Sequence, residues 1–295
     1  MNTYSKLFVT FVTLVFASTA SSSELILMPA WQSETVFEQP ESVVLSPDKQ
    51  SFFVSNVNGS PDKIDGNGYI SQMSLTGEVI EQHWLDGLDA PKGMAISGNN
   101  LYVADIKQLV VIDIAKKEIV QRYLAPYAKF LNDVAADKDG NVYVSDMMTN
   151  TIHRLMKGSF TVWLRNDQLE APNGLLVEGG NLIVGSWGNM TDGFVTAIPG
   201  HLKTIDIKTK KISSLGDQTP VGNLDGVEPD GEGNYYVTDW MDGRLIHIQP
   251  SGISKTLLKL AQGAADHTVM LDQGLVIIPM MLGGNVLAYK IKISQ

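Results

Sequence analysis

Past its first twenty residues the chain alternates short apolar runs with turn-forming residues, and no stretch holds a convincing 3.6-residue period. The pattern therefore predicts strands. Residues 133–137, 142–147, 151–156 and 160–164 read as four of them, the first two joined by a Lys-Asp-Gly-Asn turn at 138–141. Asp-Gly, Gly-Asn and Lys-Gly pairs accept the positive φ such turns require. This four-strand phrase recurs along the chain. Segments starting at Asn132, Asp225 and Asp266 align without gaps, and those starting at Glu41, Lys92 and Asn173 align with at most one turn residue missing. The six starts lie 51, 40, 41, 52 and 41 residues apart. A period of about 41 is a propeller blade length, and an ordinary β-sandwich does not explain six units of one size. The expected fold is all-β: a six-bladed β-propeller with four-stranded blades.

The two long intervals carry extra residues at 58–68 and 188–200. Residues 62–68 are faintly like a calcium loop but lack the alternating oxygen ligands of an EF-hand, so they are read as a flexible loop. The last unit stops after its third strand, while an N-terminal segment at 33–37 is spare. Paired there, it completes the sixth blade and hides two sheet edges.

The first residues follow a different pattern. Lys6 is their only charge, residues 7–16 are apolar apart from two threonines, and small residues follow at 17–20. This order describes a secretory signal peptide at 1–20, cleaved near Ser21, with a propeller domain at 21–295. The apolar run is too short to span a bilayer, which takes about 20 residues. The expected location is secreted or periplasmic, without membrane insertion after cleavage. Loss of Lys6 takes the formal charge from −10 to −11. An acidic chain without a basic run argues against nucleic acid as a partner. The absence of cysteine excludes disulfides, thiolate metal ligands and a thiol nucleophile.

In a propeller the innermost strands begin beside the central channel, so repeat-equivalent starts form a ring. Here the ring is Glu41, Lys92, Asn132, Asn173, Asp225 and Asp266. Three carboxylates near a low-dielectric channel need a counter-charge, which a hard divalent cation with oxygen ligands supplies. A turn with a purely structural task should use one residue type throughout. The variation among Glu41, Asn132, Asn173 and Asp225 therefore favours a shared metal. Calcium is the first expectation; magnesium, manganese and zinc are the alternatives. Asp105, Asp146 and Asp239, which end second strands, are read as structural. Lys92 is expected either to meet an anionic substrate or to pair with Glu41 or Asp266. His267 is a candidate proton shuttle or a satisfied rim residue. Trp187, Trp240 and Met280 follow second strands and are candidates for the pocket mouth or for packing.

Four motifs in order carry a resemblance: Pro-Glu-Ser-Val-Val at Glu41, Leu-Asn-Asp-Val at Asn132, Pro-Asn-Gly-Leu at Asn173 and Asp-Gly-Val at Asp225. With them the mature chain resembles the gluconolactonase, regucalcin and senescence-marker-protein family of six-bladed propellers, and more distantly the paraoxonases. The resemblance implies that Glu41, Asn173 and Asp225 bind metal directly. It implies that Asn132 faces metal or substrate, and that Asp225 doubles as general base. Family members often hydrolyse lactones. Two departures concern the substrate: Phe130 stands where sugar-lactone members often carry an arginine, and Ser42 replaces a usual glycine. The expected function is a metal-dependent hydrolase of a small lactone or ester, with catalytic Asp225 and Asn132. The substrate contacts would be Lys92, Asp266 and His267. A non-catalytic propeller that holds a ligand or protein partner is the alternative, because the fold hosts both.

Overall fold

A computed structural model describes residues 24–293. The signal peptide read at 1–20 and its cleavage near Ser21 lie outside the described residues. Among them, no helix is long and apolar enough to cross a membrane. Six four-stranded antiparallel sheets follow one another around a central axis, a six-bladed β-propeller. The innermost strands are Pro40–Leu45, Pro91–Ser97, Leu131–Ala136, Pro172–Glu178, Leu224–Pro229 and Thr268–Met270. An additional two-stranded hairpin, Gly188–Asp192 with Val195–Pro199, projects from the fourth blade between its second and third strands.

The aligned repeats match down to single hydrogen bonds. In the third blade the Asp137 carboxylate accepts from the backbone N–H groups of Asp139 and Asn141 and from Asn141 Nδ2. In the fifth, Asp230 does the same for Glu232 and Asn234. Each aspartate thus satisfies the donors of a tight turn that no ladder reaches. Period-two alternation then sends apolar side chains to both faces of each blade, where they meet the neighbouring blades. The core is consequently a ring of wedges. Phe53, Ile70 and Leu88 meet Met94, Leu101 and Val103 between blades one and two, and Tyr143 and Trp163 meet Leu182 and Val184 between three and four.

The sixth blade is closed by the N-terminal strand, but with a different segment from the one expected. Strand Leu25–Gln32 pairs antiparallel with Asn285–Ile293, from Leu25 opposite Ile293 to Gln32 opposite Leu287. Leu25 and Leu27 turn to the core of blades five and six, while Ile26 and Met28 are exposed. Residues 33–37 continue alongside irregularly, with Ser33 N donating to Val286 O and Phe37 N to Gly284 O. The regular ladder runs through the alternating stretch upstream because that stretch can bury every second side chain.

Candidate functional site

Five of the six innermost strands carry a register shift at their first residues: Pro40/Val43, Pro91/Met94, Leu131/Val134, Pro172/Leu175 and Leu224/Val227. Two residues of each strand sit inside the bulge, and the first is the ring residue: Glu41, Lys92, Asn132, Asn173 or Asp225. A bulge re-aims a side chain out of the pleat. Here it aims five side chains at one cavity. The bulge leaves an N–H outside the ladder, and a second-strand hydroxyl takes it up. Ser42 N donates to Ser55 Oγ, Asp133 N to Ser145 Oγ and Gly226 N to Thr238 Oγ1. Close contact between blades requires the glycine at Gly174, where a Cβ would lie 1.8 Å from Asp225 O. The second-strand aspartates hold the approach to the bulge. Asp105 accepts from Asp89 N and Ala90 N, and Asp146 from Lys129 N and Phe130 N. Asp239 pairs instead with Arg244.

The cavity has a volume of about 250 Å³. Its floor is Glu41, Lys92, Asn132, Asn173 and Asp225. Its walls come from the second-to-third-strand connections, through Pro61, Met147, Trp187, Phe194, Trp240, Met281 and Leu282, and from the leads into innermost strands, through Gln39 and Phe130. Trp187 and Trp240 thus stand at the mouth. Met280 does not; it is packed between blades five and six, because the strand's alternation turns it inward and brings Met281 to the cavity. Phe194 and Pro61 carried no repeat signal. Both belong to the insertions, whose excess length was the only clue. The 58–68 loop is tied down rather than loose: Gly59 N donates to Gln39 Oε1, Gly66 N to Asp89 Oδ1, and Pro61 O accepts from Lys92 Nζ at 2.8 Å.

The floor is electrostatically unbalanced. Burial first, then repulsion from Asp225 and Asp266, holds Glu41 well above the usual carboxylate range. Burial and Asp266 do the same to Asp225, opposed by a hydrogen bond from Asn173. Asn132 Nδ2 donates to Asn173 Oδ1, so the amides form a relay toward Asp225. Glu41 Oε2 is buried with no hydrogen-bond partner. Lys92 does not form the ion pair expected with Glu41 or Asp266. Its ammonium donates to Pro61 O and Ala90 O and lies 4.4 Å from the Phe130 ring centre, while burial lowers its pKa to about 8.

Asp266 and His267 sit off the cavity. Asp266 accepts from Ser42 Oγ at 2.6 Å, and burial raises its pKa to about 7. His267 is not at the rim. It is buried, both ring nitrogens lack hydrogen-bond partners, and burial lowers its pKa to about 3. The sixth innermost strand starts two residues after Asp266, so no bulge turns this pair toward the mouth.

The donor set meets the demands of a hard divalent cation. Glu41 and Asp225 supply two carboxylates, Asn132 and Asn173 two amide oxygens, and the orphaned Glu41 Oε2 is the kind of buried acceptor a cation satisfies. No group of three His, Asp or Glu side chains able to hold a metal occurs among the described residues, so any metal here relies on the amides.

A family model described as the SMP-30/Gluconolactonase/LRE-like region matches residues 40–265. The chain belongs to that family. No curated protein matches it significantly. Among solved structures, a gluconolactonase from Xanthomonas campestris is similar over 92% of this chain and 91% of its own, with 14% identity and a TM-score of 0.67. A virginiamycin B lyase from Staphylococcus aureus is similar over 90% of this chain and 99% of its own, with 14% identity and a TM-score of 0.62. At such identities these likenesses concern the fold.

Proposed function

We propose that this cavity is the active site of a metal-dependent hydrolase of small lactones or related esters. The observation that carries the reading is Glu41 Oε2, buried and unpartnered on a floor it shares with Asp225 and two amides. Two buried carboxylates at close quarters are costly without a counter-charge. Family membership and the gluconolactonase neighbour support the same chemistry. Glu41, Asn132, Asn173 and Asp225 would hold the cation, calcium first, with magnesium, manganese and zinc as alternatives. When bound, it polarises a carbonyl and lowers the pKa of water.

The remaining work falls to the chain. Asn132 contacts the metal or orients the carbonyl. Asp225 accepts a proton from water as the water oxygen bonds to the carbonyl carbon. The ring C–O bond then breaks, and the proton passes to the leaving alkoxide, giving the hydroxy acid. The leader pattern supports action outside the cytoplasm, which N-terminal sequencing of the exported chain would test: a start at Met1 would refute cleavage.

The test of the activity is a lactone and ester screen on protein stripped by chelation, with each of the four cations restored in turn. Turnover that returns with a cation supports the reading. If calorimetry finds no cation bound at micromolar to millimolar levels, the metal site falls. If a cation binds and nothing is turned over, the hydrolase falls and a ligand-holding propeller replaces it.

A further inference from the structure

The walls of the cavity differ in kind from its floor. Phe130, Met147 and Trp187 form a buried apolar cluster, with Phe194, Trp240 and Met190 packed on it. This cluster lines the cavity instead of filling a wedge between blades. The Phe194 ring stands edge-on to Phe130, with centroids 5.5 Å apart, and also edge-on to Trp187 at 6.0 Å; Trp240 closes on Trp187 at 6.1 Å. Phe194 comes from the hairpin at 188–199, which no other blade has among the described residues. Trp187 Nε1 donates to Phe194 O at 2.9 Å, fixing the hairpin over the mouth. Across the cavity, Leu282 adds a further apolar side chain, 58% exposed.

Several polar groups of these walls already serve the protein. Trp187 Nε1 is taken by Phe194 O, Gln39 Oε1 by Gly59 N, and Pro61 O by Lys92. A polyhydroxylated ligand would lose water on entering and recover few hydrogen bonds above the floor. A cationic ligand is disfavoured too, because the Lys92 ammonium already stands over Phe130. What suits an apolar aromatic wall above a polar floor is a neutral molecule with a hydrolysable carbonyl at one end and an apolar body at the other.

We propose that the substrate is a lactone or ester bearing an uncharged alkyl or aryl substituent, and that Phe194, presented by the inserted hairpin, sets this preference. The proposal rests on the hydrolase reading for the word substrate, but the apolar subsite itself does not. Three lactones with the same six-membered ring separate the ideas: δ-decalactone, dihydrocoumarin and glucono-δ-lactone. The expected result on cation-loaded protein is a kcat/KM at least about tenfold higher for the first two. Phe194→Ala should lower that value at least about tenfold for the apolar pair, chiefly through KM, and leave glucono-δ-lactone unchanged. Ile198→Ala, on the exposed part of the same hairpin, should change neither.

Glucono-δ-lactone turned over as well as the apolar pair would overturn the proposal while the hydrolase stands. So would a Phe194→Ala variant that loses all three substrates equally. Binding of the δ-lactam with the decalactone side chain, followed by tryptophan fluorescence, separates the remaining cases. If no lactone reacts but the lactam binds wild type and not Phe194→Ala, the hydrolase falls and the apolar subsite stands. If the lactam does not bind, the subsite falls.

Discussion

The floor and the walls of the cavity are built by opposite means. The floor comes from what the blades share: one bulge position, repeated, with the residue type varied from blade to blade. The walls come mostly from what the blades do not share, namely an inserted loop, an inserted hairpin and the unequal side chains of the second-to-third-strand connections, with Gln39 and Phe130 added from the leads into two innermost strands. A repeat can bring unlike side chains to one point because every blade delivers its residue in the same register. It cannot by itself enclose a ligand. Enclosure needs residues outside the register, and these are free to change without disturbing the chemistry below.

The sharpest break between the two regions is expected from Asp225→Ala. On the proposed reading it removes a ligand charge and the proton acceptor together. Turnover should fall by about 10²–10⁴-fold for every substrate, and cation affinity should fall with it. A variant that loses one substrate and keeps another would place Asp225 with the walls.

A smaller effect, on stability alone, is expected where the floor meets the scaffold. Gly174→Ala puts a methyl against Asp225 O, a backbone atom that cannot swing aside. Overpacking of this kind costs about 1–3 kcal/mol, occasionally more, and a lowered melting temperature would show it. Asp146→Ala strips the acceptor from Lys129 N and Phe130 N. Leaving buried donors unmet costs about 1–3 kcal/mol. Calorimetric titration should then find cation affinity little changed, because the floor residues are untouched. A lost cation site in Asp146→Ala would mean that the approach loop, not the bulge, shapes the floor.

The mildest test is pH. In metal-free protein Glu41, Asp133 and Asp225 are held well above the carboxylate range by burial, and Asp266 to about 7. Folded values above unfolded ones mean that the folded state keeps protons the unfolded state has lost. For Asp266 that stabilisation is complete below about 4 and is lost as pH rises through about 7, and the other three lose theirs in the same direction. His267, lowered to about 3 by burial, acts in the opposite sense and loses stability as pH falls below about 6.5. Chelated protein should therefore melt a few degrees lower at pH 8 than at pH 5. Asp266→Asn should flatten that slope. A chelated protein more stable at pH 8 would show that the carboxylates do not dominate the channel.

The same division decided what could be read from the chain alone. The blades and floor were legible because Asn132, Asn173 and Asp225 recur at repeat-equivalent positions, and alternation on either side fixes their depth. The bulges were not, since a two-residue departure from alternation looks like noise in one strand and becomes a pattern only across five. Phe194 and Pro61 were invisible for the converse reason: an insertion has no register from which to predict a direction. Lys92 lies on the ring, but the ion pair with Glu41 or Asp266 does not form, because its partners are the carbonyls of Pro61 and Ala90, which no side-chain pattern reports. The closing strand lies upstream of the expected 33–37, because the alternation at Leu25 and Leu27 can bury every second side chain and the stretch next to Glu41 cannot.

That strand has a consequence for how the molecule comes into being. Leu25 pairs with Ile293, so one sheet joins the two ends of the described chain. A ribosome releases the first partner long before the second exists. Blades one to five can settle in turn through contacts between near neighbours, but the ring stays open, with an unpaired edge, until the last strand arrives. Contacts of such long sequence separation form slowly. The half-built propeller is thus the stage most exposed to edge-to-edge association, and final assembly is one late zippering event. Once made, that seam lets no blade peel away, because both ends of the described chain are paired in one sheet.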